Sequence, residues 1–182
     1  GLRNTIFEIY LKNLFKKNLR VSLYDQNTNL VKFSEQFLKK KIKKKIYKKI
    51  SFIKSINNLK KEFHAIHFGS MFEHVNEENL FFKDLFYKIR GKPKFLFFSD
   101  LFITNANEKD FYCIGRYYKQ NYVVKFHNLK KIISLLRTFD YELIDQKNYL
   151  PNIQGQFRFY DMKNLPKKNR IYHTMNLIFK KK

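Results

Sequence analysis

The 182-residue sequence predicts an α/β domain built on a doubly wound, mostly parallel sheet with helices on both faces and an antiparallel final strand. Three observations carry this expectation. Short apolar runs alternate with stretches of helical periodicity, the pattern of consecutive βα units joined by right-handed crossovers. The run Arg20 to Asp25 ends in a carboxylate, as a buried parallel strand does when it delivers a ligand group at its C-terminal edge. The last run, 171 to 179, is preceded at 163 to 170 only by Asn, Leu, Pro and basic residues, with no crossover helix.

In chain order, residues 4 to 17 place Ile6, Phe7, Tyr10, Leu11, Leu14 and Phe15 at three- and four-residue spacings, an amphipathic helix entered directly from Gly1. A strand at 20 to 25 follows, then a helix over about 29 to 48 in which Leu38, Ile42 and Ile46 form one apolar stripe through the run Lys39 to Lys49. Strands are expected at 50 to 54 and 63 to 69, with a helical turn at 56 to 60 between them. The helix from Glu77 to Arg90 carries Leu80, Phe81, Leu85 and Ile89 at helical spacing and stops at Gly91-Lys92-Pro93. Lys94 to Asp100 is the most hydrophobic strand. The segment from Leu101 to Phe126 is aromatic and polar and reads as a long loop on the ligand side of the sheet. A helix from His127 to Phe139 and a strand at 141 to 145 lead toward the final strand.

Composition bounds the function. The hydrophobic share of 44%, with 21 Phe and 12 Tyr, suffices for one core, and no Gly- or Ser-rich linker divides the chain, so a single domain over 1 to 182 is expected. Cys113 is the one cysteine, which excludes a disulfide framework and points to a reducing, cytoplasmic setting. No apolar stretch is long enough to span a bilayer. The net charge of +23 comes mostly from lysines scattered among Asn, Ile, Phe and Tyr, a mixture expected of an AT-rich genome. It also keeps a basic nucleic-acid-binding module in view as a rival reading.

Ligands of doubly wound sheets bind beyond the C-terminal strand ends, which directs attention to Gly1, Asp25, Lys54-Ser55, Phe68 to His74 and Ser99 to Thr104. Gly1-Leu2-Arg3 before a helix, Asp25 after a strand, and Phe72-Glu73-His74-Val75 after a later strand together resemble class I S-adenosylmethionine (SAM)-dependent methyltransferases, which have a Rossmann-like fold. More narrowly, His67-Phe68-Gly69-Ser70, Ser99-Asp100, Tyr117-Tyr118 with Phe126, and Tyr141 to Ile144 resemble a bacterial methyltransferase family of unassigned substrate. The resemblance implies that the chain opens inside its glycine-rich loop, with the first strand missing. It also implies SAM as cofactor and, weakly, a small-molecule or saccharide acceptor.

On this reading Gly1, Asp25, Gln26, Ser55, Phe68, Gly69 and Ser70 are the cofactor-binding candidates. A carboxylate at Asp25 suits two ribose hydroxyls, whereas the competing reading has Asp25 to Thr28 capping the next helix. Gly69 serves either cofactor approach or tight packing. A substrate hydroxyl could be deprotonated by His74 or oriented by Glu73, against a helix-start carboxylate beside a solvated imidazole. Arg116, Tyr117 and Tyr118 form an aromatic and basic patch suited to an acceptor, or else ordinary loop packing. His64 and His67 alternate without a further ligand at metal spacing, so a core or strand-edge role is expected and no metal. A degenerate domain that has lost SAM binding and acts as a partner subunit is the other rival.

Overall fold

The computed structural model describes residues 20–55, 57, 59, 61–69, 71–104, 109–117, 120–149, 158–160 and 173–182, and the expected alternation of strand and helix runs through them. The helix expected at 4 to 17 lies outside these residues. The chain divides into two units, Gly1–Lys60 and Lys61–Lys182.

In the first unit β1 (Val21–Tyr24) pairs in parallel with β2 (Ile50–Ile53), from Val21 opposite Ile50 to Tyr24 opposite Ile53. A parallel pair requires a crossover, here α1 (Thr28–Lys41) and the single turn α2 (Lys44–Tyr47). Asn27 starts α1 by accepting from the backbone N–H groups of Asn29 and Leu30 at 3.1 and 3.4 Å. One continuous helix to residue 48 was expected, but the backbone is extended at Ile42 (φ −116°, ψ 152°). Continuing the helix would set Lys39, Lys40 and Lys41 one turn from Lys43, Lys44 and Lys45, three like-charge pairs that oppose it. Ile42 still turns inward with Val21, Leu23 and Phe52 around Ile46 and Ile50.

The second unit is built on a four-stranded sheet in the order β3 (Ala65–Gly69), β4 (Phe95–Ile103), β9 (His173–Lys181), β7 (Tyr141–Tyr149). Strand β3 is parallel to β4, and β9 is antiparallel to both β4 and β7. The reversed final strand is as expected, inserted between two strands rather than added at the edge. Against the sheet pack α3 (Glu78–Lys88) and α4 (Leu129–Thr138). The core is aromatic: Phe68 stacks on Phe98 with centroids 4.8 Å apart, and Phe72 and Phe82 close edge-on around them. A second run of rings links Phe82, Phe139, Phe86 and Tyr141, whose hydroxyl donates to the Pro93 carbonyl at 2.6 Å. Gly91, with φ 77°, makes the left-handed turn after α3.

The region expected to be a loop after residue 100 is largely strand. Strand β4 continues through a bulge between Phe98 and Leu101, where Asp100 adopts φ 56° and its N–H donates to Asn176 Oδ1 at 3.0 Å. Beyond it β5 (Phe111–Tyr117) and β6 (Gln120–Phe126) form a hairpin, and β8 (Arg158–Tyr160) completes a three-stranded antiparallel sheet in the order β6-β5-β8. His127 ties the hairpin back to the end of β4: its N–H donates to the Phe102 carbonyl at 2.9 Å, and its own carbonyl accepts from Thr104 at 3.0 Å. No helix among the described residues is long and apolar enough to cross a membrane.

Candidate functional site

In the first unit Asp25, Gln26 and Ser55 follow the C-terminal ends of the parallel pair β1–β2, the edge at which such sheets hold ligands. Asp25 Oδ1 accepts from the Asn27 N–H at 2.8 Å, an Asx turn, while the cap of α1 is Asn27 itself. Capping therefore falls to Asn27, and Asp25 sets the turn that brings it into place. Gln26 is exposed, and Ser55 Oγ accepts from the Asn57 N–H at 3.3 Å. Gly1 lies outside the described residues.

In the second unit the ring of Phe68 is buried among Phe72, Phe81, Phe82 and Phe98, so what this residue offers at the strand end is backbone. Gly69 has a packing reason to be glycine, since a Cβ there would sit 3.3 Å from Cε1 of His67. The His67 ring lies beside it, its Nε2 2.9 Å from Ser99 Oγ. Burial pushes His67 down, a nearby Asp100 opposing. His64 packs against the ring of Phe95, and among the described residues no group of His, Cys, Asp and Glu could hold a metal. Ser70 lies outside the described residues.

Glu73 and His74 stand on a 3-10 turn, Phe72–His74, just beyond β3. Nδ1 of His74 lies 3.1 Å from the Val123 carbonyl of β6. A carbonyl only accepts, so Nδ1 is the nitrogen that carries the proton in this bond. Glu73 is buried, with Oε1 3.9 Å from that Nε2, and its Oε2 has no hydrogen-bond partner among the described residues. Burial raises the Glu73 carboxyl above its ordinary range, with His74 among the groups opposing. The turn thus sets a hydrogen-bonded imidazole beside a desolvated carboxyl.

Beneath the turn lies a buried ionic cluster that the motifs gave no hint of. Lys125 of β6, 3% exposed, donates to Glu78 Oε1 at 2.5 Å and to the Asn76 carbonyl at 2.8 Å. His127, fully buried, places Nδ1 2.9 Å from the same Glu78 oxygen and Nε2 3.0 Å from the Phe72 carbonyl. Both nitrogens face acceptors, so each must carry a proton for both bonds to form. Asp110 extends the cluster, accepting from the Asn128 N–H at 2.7 Å and from Lys131 Nζ at 2.5 Å, with Lys125 Nζ at 3.4 Å. Burial pushes the Glu78 carboxyl up, but the bonds from His127 and Lys125 outweigh it and hold it at about 2. The available signal was Lys125 within the apolar run Tyr122 to Phe126, because a lysine there needs a buried partner.

Of the expected acceptor patch, Arg116 and Tyr117 lie on a strand rather than on a loop. Arg116 and Tyr117 belong to β5, opposite Asn121 and Gln120 of β6, and Arg116 is also opposite Arg158 of β8. Tyr118 lies outside the described residues. Tyr112, half exposed, has Lys125 Nζ 5.6 Å from its ring centroid.

No family model matches the sequence, and the comparison with curated proteins finds no match. Solved structures do match over nearly the whole chain. A SAM-dependent methyltransferase from Methanosarcina mazei aligns with a TM-score of 0.61 at 12% identity, over 98% of this chain and 87% of that one. The glycopeptide N-methyltransferase MtfA aligns with a TM-score of 0.59 at 10% identity, over 96% and 77%. Its complex with SAM gives 0.59 at 10%, over 95% and 75%. At such identities the likeness is one of fold: this chain has the Rossmann-like α/β fold found in SAM-dependent methyltransferases.

Proposed function

We propose that this protein is a SAM-dependent methyltransferase acting on a small-molecule or saccharide acceptor. The observation that carries the reading is the sheet order β3-β4-β9-β7, with its reversed strand inserted between parallel ones, in a fold shared with methyltransferases along nearly the full chain. SAM supplies a sulfonium-bound methyl group open to direct displacement. In the first unit Asp25 fits a ribose: it follows the C-terminal end of β1, and its Oδ1 accepts the Asn27 N–H that holds the carboxylate in place. Gln26, Ser55 and Gly1 are assigned to the same cofactor. In the second unit the backbone of Phe68, with Gly69 and Ser70, is assigned to the methionine portion.

The chemistry asked of the chain is modest. Alignment of the acceptor with the methyl carbon, water excluded, supplies roughly 7 to 11 kcal/mol of the barrier reduction in well-positioned reactions. Where the attacking atom carries a proton, Nε2 of His74 receives it, and the Glu73 carboxylate 3.9 Å away favours the cation that results. Arg116, Tyr117 and Tyr118 are assigned to the acceptor, because their hairpin leaves the sheet at the end of β4 and β6 touches the turn that bears His74.

Calorimetric titration with SAM and S-adenosylhomocysteine tests the reading. One-to-one binding is expected, weakened roughly tenfold or more in Asp25→Ala through loss of two charge-assisted hydrogen bonds, with an unchanged circular dichroism spectrum. No heat with either ligand would sink the assignment; equal affinity in the variant would remove Asp25 from it.

A further inference from the structure

Helix α1 carries two apolar stripes. Val31 and Leu38 are buried, but Leu30, Phe33 and Phe37, spaced i, i+3 and i+7, form a second stripe that is 47%, 65% and 50% exposed. The Phe33 and Phe37 rings stack with centroids 6.3 Å apart, which makes the exposed surface continuous. One turn further on the same side stand Lys40 and Lys41, both exposed, and the run goes on through Lys43, Lys44 and Lys45. Between Thr28 and Lys49 nine lysines stand against the single carboxylate Glu35.

We propose that this face of α1 docks on the surface of a bilayer containing anionic phospholipid, with Leu30, Phe33 and Phe37 entering the headgroup and acyl boundary and the lysines following α1 contacting phosphate and carboxylate headgroups. An amphipathic helix with an aromatic stripe and a lysine-rich flank has the composition of an interfacial anchor. Charge decides among the occupants. A second copy of this chain would bring lysines against lysines. A nucleic acid would satisfy the lysines but offers no apolar surface along the helix axis for Leu30, and residues 21 to 89 contain none of the arginines that dominate base and phosphate recognition. An anionic membrane accepts both halves of the surface at once, the lysines by attraction that salt screens and the stripe by burial.

Flotation with vesicles tests this. The protein is incubated with phosphatidylcholine vesicles alone and with vesicles containing about one-third phosphatidylglycerol. It is expected to float with the anionic vesicles only, less so in high salt, and Phe33→Ser/Phe37→Ser should lower the partition coefficient at least about tenfold with unchanged circular dichroism. Leu80→Ser/Tyr87→Ser, which removes the exposed apolar pair of α3 in the second unit, should float like the unaltered protein. Failure to float, equal flotation with neutral vesicles, or undiminished flotation of the Phe33/Phe37 variant would each overturn the proposal. Retention on a single-stranded oligonucleotide that the same variant abolishes, without vesicle binding, would overturn it in favour of nucleic acid.

Discussion

On the turn after β3, one backbone carbonyl sets the hydrogen bond of the His74 ring. The Val123 carbonyl accepts from Nδ1–H, and the buried Glu73 carboxyl lies 3.9 Å from Nε2. A side chain so placed should matter to the chemical step more than to cofactor affinity. His74→Ala is expected to lower kcat by about a hundredfold or more, the usual contribution of a positioned base, with SAM affinity unchanged by calorimetry. A turnover equal to that of the unaltered protein would leave His74 a surface residue. The pair Glu73-His74 was singled out because Phe72-Glu73-His74-Val75 follows an apolar strand run within a few residues, as in the resembling methyltransferases. The hydrogen bond of the imidazole was not legible, since its acceptor lies 49 residues away in β6. Gly69 shows the same limit: the contact that a Cβ would crowd is set by a ring pinned across to Ser99 on the neighbouring strand.

At the level of elements, the Glu78–Lys125–His127 cluster joins four pieces of chain: the 3-10 turn, the start of α3, strand β6 and His127 in the link from β6 to α4. Removing one partner strands the opposite charge in a desolvated place. Lys125→Met is expected to lower stability by about 3 kcal/mol, near the lower end for breaking a buried pair because His127 still serves Glu78, measured by urea unfolding. Lys131→Met, at a side chain 56% exposed, should cost less than about 1 kcal/mol. Equal effects of the two substitutions would show that the cluster does not hold the hairpin. The strands and helices with clean periodicity, such as α4 and the apolar start of β4, were readable from the sequence. The hairpin was not, because its connection at 118 to 119 is Tyr-Lys, with no Gly, Asn or Pro to mark a turn, and Gly115 falls inside β5. The break after α1 was hidden for the opposite reason: the apolar stripe continues through Ile42 and Ile46, and only the lysines opposing one another along the axis argue against a single helix.

For the whole molecule, the lack of a crossover helix at 163 to 170 conveys that the last strand runs backward, but its insertion between β4 and β7 is settled by packing. Leu177 and Phe179 are fully buried and lie opposite Phe98 and Leu96 of β4. A fold closed in this way, over an ionic cluster whose carboxylates are needed in charged form, should be sensitive to acid in one direction. Glu78 is held at about 2 against an ordinary 4.5, and Asp110, raised by burial but lowered more by Lys131 and the Asn128 N–H, lies below its own usual value. A carboxyl whose folded pKa is depressed stabilises fully above its unfolded pKa and loses that contribution as pH falls through the folded one. The Glu78 contribution, on the order of 3 kcal/mol, is therefore complete above about pH 4.5 and disappears toward about pH 2. Glu73, raised by burial, works the other way and regains stability as it protonates, so it blunts the acid loss without reversing it. Thermal unfolding followed from neutral pH downward should show the melting temperature of the second unit dropping by roughly 10 °C through that window, a drop largely absent in Glu78→Gln, which starts lower and stays flat. A melting temperature in the unaltered protein that holds steady from pH 5 to pH 3 would mean that the cluster is already protonated or open in the folded state, and the role given to Lys125 would fall with it.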